Sequence, residues 1–166
     1  MSEPLRAKRP SESQTETVQV VLPNDANPLG FILGGTVMHL IDIAGAIAGH
    51  RHTRSLLVTA AVDGLQFLHP IKVGDLIILR SRVTAAWNTS LEVEVEVFSE
   101  ETLTGVRRMT SLAYLTFVAI DRAGIRLPVP GVILETKEDE RRATEAEQRR
   151  SYRLQARKAL EGRFRL

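Results

Sequence analysis

Gly34-Gly-Thr-Val-Met-His-Leu-Ile-Asp-Ile-Ala-Gly-Ala-Ile-Ala-Gly-His50 is the stretch on which the fold turns. From Gly35 to about His50 it shows no strand alternation, is rich in Ala, Ile and Leu, and is long enough for about four helical turns. It is apolar nearly all round, the mark of a helix buried on most sides. On its N-terminal side, Thr15–Leu22 (TETVQVVL) is β-branched and stops at Pro23, so it reads as a strand. Between them, PNDANPLGFIL (23–33) carries the Pro, Asn, Asp and Gly of a structured loop. On its C-terminal side, Val58–Phe67, Asp75–Ala86, Ser90–Ser99 and Arg107–Ala119 read as four strands. Leu91-Glu-Val-Glu-Val-Glu-Val97 alternates strictly, which predicts an antiparallel sheet with the valine face on the core and the glutamate face in water.

One strand, one helix and four strands give an α+β architecture, a single antiparallel sheet with one helix to cover it. A lone helix cannot be buried all round by a flat sheet. The sheet must therefore curl about the helix, or a second subunit must cover what remains. Three segments follow: 1–14 as a flexible N-terminal stretch, 15–136 as the globular domain, and 137–166 as a basic tail. That tail reads either as a charged helix or as a solvated segment.

The 166 residues suit one domain, and folding at this length buries roughly 70% of the unfolded surface. Cysteine is absent, which excludes disulfide scaffolds, Cys-ligated metals and thiol nucleophiles, and makes a reducing cytoplasm the expected home. The first sixteen residues hold no apolar run of the kind a secretory leader needs, so none is expected. The apolar stretch 28–49 includes Asp42, whose insertion at a bilayer centre costs about 2.5–3.5 kcal/mol, so no membrane span is expected. The net charge of +2 divides into +4 from residue 137 onward, zero over residues 1–20, and −2 for the body. The pI near 9.3 thus belongs to the tail and gives no support for a nucleic-acid partner.

Asp42 is the residue of greatest chemical interest. Apart from His39, its helical neighbours are apolar or small, and Gly45 and Ala46 leave room beside its carboxylate. A buried carboxylate must face a cavity, find a partner or hold a proton. Such a group either lines a polar helix edge or serves as a general base in a cleft. Ahead of it, Pro28 biases Asn27 toward extended geometry. Gly34 and Gly35 open the helix where unpaired N–H groups can hold an anion or a polarised carbonyl. Phosphate-loop, dinucleotide and G-x-S-x-G signatures are missing. Of the four histidines, His39, His50, His52 and His69, the His50-Arg-His52 run at the helix end has no accompanying carboxylate at ligand spacing and reads as a cationic terminus favoured by the dipole, so no metal is expected. Phe67, Leu115 and Phe117 read as core in preference to an acyl tunnel, and one pocket wall can serve as both.

NPLGFILGGTVMHLIDIAGAIAGHRH, VTAAVDGLQFLHPIKVGD, WNTSLEVEVEV, AYLTFVAID and LPVP together resemble the hotdog-fold acyl-CoA thioesterases of the YciA-type and brain-type. The resemblance runs in order from about Thr15 to Pro130. It implies a curled five-stranded antiparallel sheet around one long helix, paired into dimers, with a trimer of dimers as the usual assembly. It implies hydrolysis of acyl-CoA to free acid and CoA without cofactor. Asp42 matches the family's helical aspartate, Asn27 the loop asparagine, and Gly34 and Gly35 the helix-opening glycines, with the loop and the acid of one site supplied by different chains. Arg80, Arg82 and Arg108 are candidates for the CoA phosphates by charge. Ile43 stands where many relatives have a second acid, so a lone carboxylate must suffice. An acyl-CoA sensor would carry a DNA-binding helix pair, for which the N-terminal stretch is too short. A hotdog dehydratase would need a histidine in the 27–35 loop, which holds none.

Overall fold

A computed structural model describes residues 5–164. The chain forms β1 (Thr15–Val20), α1 (Gly34–Thr53), β2 (Leu56–Phe67), β3 (Leu76–Ala86), β4 (Ser90–Glu100), β5 (Arg107–Ile120) and α2 (Lys137–Phe164). The strands make one antiparallel sheet in the order β1-β3-β4-β5-β2, which leaves β1 and β2 as edges. Among the described residues no helix is long and apolar enough to cross a membrane.

The helix predicted over 35–50 runs on to Thr53 and stops at Arg54, whose φ of 54° closes it in the left-handed region. It lies along the inner face of the sheet. Val37, Ile41, Ala44 and Ala48 share one buried core with Val93, Val95, Leu115 and Phe117. Close approach is possible because a Cβ on Gly45 would sit 3.2 Å from the Phe117 ring and 3.5 Å from Val95. A branched side chain there must move the ring or lift the helix. Gly45→Val is expected to cost about 1–3 kcal/mol by overpacking, read as a lowered midpoint in chemical denaturation. The opposite side of α1 stays open, with Met38 and Ile43 nearly half exposed.

Leu91, Val93, Val95 and Val97 are fully buried, as the alternation predicts, but the glutamate face is not in water. Glu92 is 0% exposed and Glu94 6%, because α2 lies across the outer face of the sheet. Arg149 donates to both carboxylate oxygens of Glu92 at 3.0 and 2.8 Å and stacks 3.5 Å from the Tyr114 ring centre. Arg142 donates to Glu94 at 3.0 Å, Arg82 to Asp139 at 2.7 Å, and Arg153 to Asp63 at 2.6 Å. Burial, with the Glu94 carboxylate beside it, pushes Tyr114 up to about 12. The tail is therefore a helix, and its basic excess is in part an internal complement to acidic strand residues.

The N-terminal stretch also departs from expectation. Residues 1–4 of the segment predicted as flexible lie outside the described residues, as do 165 and 166 of the tail. Residues 5–14 pack down: Lys8 pairs with 131–133 through backbone bonds of 3.0 and 2.9 Å, and Pro10 and Ser13 are buried. This strap meets the end of α1, where His52 is fully buried and its Nε2–H donates to the Pro130 carbonyl at 2.9 Å. Nδ1 has no partner among the described residues, so burial holds the ring neutral and its pKa below the ordinary histidine range. The expected cationic terminus is corrected at this position. Because the unfolded chain takes up this proton first, stability is expected to fall as pH drops below about 6.5. His52→Gln, which keeps a donor toward Pro130, should flatten that part of the Tm-against-pH curve.

Candidate functional site

The loop before α1 is held by its own polar groups. Asn27 Oδ1 accepts from the N–H groups of Leu29 and Phe31 at 3.0 and 3.2 Å, and Asn27 N–H donates to the Phe31 carbonyl at 2.8 Å. Gly30 turns the loop at φ 81°, and its carbonyl accepts from Val73 at 3.0 Å. The Asn27 oxygen is thus engaged within the loop, and its NH₂ is the group left to donate outward.

This clamp delivers Gly34 and Gly35 to the start of α1. Leu33 is the cap residue and has no side-chain cap, so the first N–H groups of the helix are open to a ligand. A Cβ on Gly35 would meet nothing within 4 Å, whereas one on Gly34 would touch the Phe67 ring at 3.5 Å. Phe67, His69, Pro70 and Ile71 wall a cleft of about 330 Å³ beside Gly34. His69 and Pro70 continue into a second cleft with Lys72, Asp75, Glu101 and Arg108.

Asp42 projects from the half-open side of α1. Its Oδ1 accepts a 2.6 Å hydrogen bond from Thr59 on β2. Met38, Ile41, Val62, Leu65 and Leu115 line the cleft of about 310 Å³ around these two groups, and His39, one turn before Asp42, lines it with them. An acid in such a wall, with one oxygen held by a hydroxyl and the other without a partner among the described residues, can accept a proton from a water in the cleft.

The predicted residues fall into three places. Asp42 is seven residues beyond Gly35 along α1, a rise of about 10 Å, so the helix start and the acid of one chain cannot grip the same carbonyl. Arg80 and Arg82 are corrected: they alternate with core-facing Leu79 and Val83 and so point to the outer face, where Arg80 pairs with Glu16 at 2.6 Å and Arg82 with Asp139. Both point away from α1. Arg108 lines the second cleft beside the helix start. Thr59 was not anticipated, since nothing in a lone threonine of a strand ties it to an acid 17 residues earlier.

The family model of the thioesterase superfamily matches residues 29–106. Among curated relatives, the chain is 40% identical over 128 residues to the uncharacterized acyl-CoA thioester hydrolase YkhA of Bacillus subtilis, covering 77% of this chain and 74% of that one. It is 33% identical over 141 residues to the human cytosolic acyl coenzyme A thioester hydrolase, covering 84% of this chain but 37% of that protein's length. Among solved structures, an apo-hexameric acyl-CoA thioesterase superposes with a TM-score of 0.87 at 38% identity, covering 92% of this chain and 97% of that one. The acyl-CoA hydrolase of Staphylococcus aureus, solved with butyryl coenzyme A and coenzyme A, gives 0.83 at 33% identity over 93% of this chain and 97% of its own. Alanine variants of that hydrolase at an asparagine, an aspartate and a threonine have also been solved. Those three residues stand 15 and then 17 positions apart, the spacing of Asn27, Asp42 and Thr59 in this chain.

Proposed function

This chain belongs to the thioesterase superfamily and is kin to its acyl-CoA thioester hydrolases, and on that premise we propose that it hydrolyses acyl-CoA to CoA and a free carboxylic acid through Asp42. The observation that carries the reading is Asp42 itself, a carboxylate in an apolar cleft with Thr59 holding one oxygen at 2.6 Å. Its free oxygen takes a proton from water as the water oxygen bonds to the thioester carbon. Negative charge then gathers on the carbonyl oxygen, where the open N–H groups at Gly34 and Gly35 of a second copy stabilise it. The C–S bond breaks, and the proton held by Asp42 passes to the departing thiolate. Asn27 places water or the carbonyl with its NH₂. Ile43 offers no second acid, so one carboxylate serves as base and then as acid. No step calls for a cofactor or a metal.

The separation of Asp42 from its own helix start supports a working unit of at least two chains, and the hexameric relative supports a trimer of dimers. The human relative's cytosolic name supports a cytoplasmic place of action. CoA is anionic, and the cleft that adjoins the Gly34 cleft holds Lys72 and Arg108 alongside Asp75 and Glu101, so those two cations are the ones offered to its phosphates on this side of the molecule. Arg108→Glu is then expected to raise KM about tenfold with kcat little changed, the signature of lost uniform binding.

The test of the activity is thiol release from a panel of acyl-CoAs. The chain has no cysteine, so every thiol detected comes from CoA. Turnover with at least one chain length is the expected result. CoA-ester binding without thiol release from any would indicate a sensor instead.

A further inference from the structure

From the course of α2 we infer that its last three turns are an arm that grips a second copy of this chain, joined to the first along the β2 edge. This rests on the two-chain unit proposed above. The helix crosses the outer face in order, meeting β3 through Asp139, β4 through Arg142 and Arg149, and the edge strand β2 through Arg153. After Arg153 the sheet of this chain ends, but the helix continues to Phe164. Those eleven residues extend it by about 16 Å, the width of roughly three more strands.

The sequence of the arm changes where the sheet stops. Arg142, Ala146, Arg149 and Arg153 form the stripe that faces the sheet, at spacings of three and four. Continued at the same spacing, the stripe becomes Ala156, Leu160 and Phe164, and ion-paired arginines give way to apolar side chains. Leu160 is 53% exposed and Phe164 60%, so nothing in this chain covers the apolar continuation of the stripe among the described residues.

The β2 edge supplies the matching surface. Leu57 and Thr59 face α1, as contact with Gly49 and the bond to Asp42 show, so alternation turns Leu56 and Val58 to the outer face. They are 51% and 45% exposed, an apolar pair on an edge strand whose outer side has no partner strand among the described residues. An antiparallel pair of β2 edges sets the half of one strand that holds Asp63 against the half of the other that holds Leu56 and Val58. The arm leaves its own sheet at Asp63, and so heads toward that apolar pair on its partner.

The test uses the full chain, Leu160→Glu, and Lys158→Glu on the opposite side of the helix. Light scattering over a dilution series gives the assembly, and amide exchange reads residues 156–164. The expected result is a dimer or larger, with these amides protected at least tenfold over the Leu160→Glu protein. That variant should dissociate at a concentration at least tenfold higher, whereas Lys158→Glu should match the parent. An assembled parent whose arm exchanges as fast as the variant, or a variant that dissociates no earlier, overturns the arm and leaves the joined sheets standing. A parent that is monomeric throughout overturns both.

Discussion

Asp42→Ala is expected to lower kcat by about two to four orders of magnitude, the range for losing a positioned general base. Three features set that size. The carboxylate stands in an apolar cleft, Thr59 Oγ1 fixes one oxygen at 2.6 Å, and Ile43 leaves no neighbouring acid to take over. Asp42→Asn should fare little better, since an amide can keep the Thr59 bond but cannot take the proton from water. Binding of CoA should be nearly unchanged in both, because its phosphates lie beyond the helix start. Stopped-flow thiol release with a parallel CoA titration separates the two quantities. Full turnover in Asp42→Ala would remove this residue from the chemistry.

The largest effect on stability is expected at Arg149. Replacing it with methionine leaves Glu92 fully buried and without the guanidinium that meets both its oxygens, while Thr84 still donates to Oε1 at 2.7 Å. Breaking one side of a buried pair costs about 3–5 kcal/mol, and the Thr84 bond holds the loss toward the lower end. For a chain of this size that corresponds to a fall in Tm of roughly 10 °C. Glu92→Gln together with Arg149→Met should recover much of the loss, because no unpaired charge then stays under the helix. A single variant that melts with the parent would mean that α2 does not bury Glu92 in solution.

The core elements could be read because their signals are local. The apolar run 34–50 has room for one interpretation, and the alternation Leu91–Val97 states which side chains face the helix. Asp42 stood out because an acid among apolar neighbours asks for an explanation. The fate of Glu92 and Glu94 could not be read in the same way. Alternation says which way they point, but not that arginines 48 and 57 positions later return to cover them. Thr59 was hidden for a similar reason, since its meeting with Asp42 depends on how β2 lies along α1. Arg80 and Arg82 differ: the parity that puts Leu79 on the core already places both on the far face, and charge alone was a poorer guide.

The central claim is that Asp42 of one chain completes the site opened by Asn27 and the glycines of another. Co-expression of Asp42→Ala chains with Asn27→Ala chains tests it most directly. In a two-fold pair, each mixed dimer holds one doubly altered site and one intact site, so a random mixture is predicted to recover about a quarter of the parental activity. Activity no higher than that of the two variants assayed apart would contradict a site shared between chains.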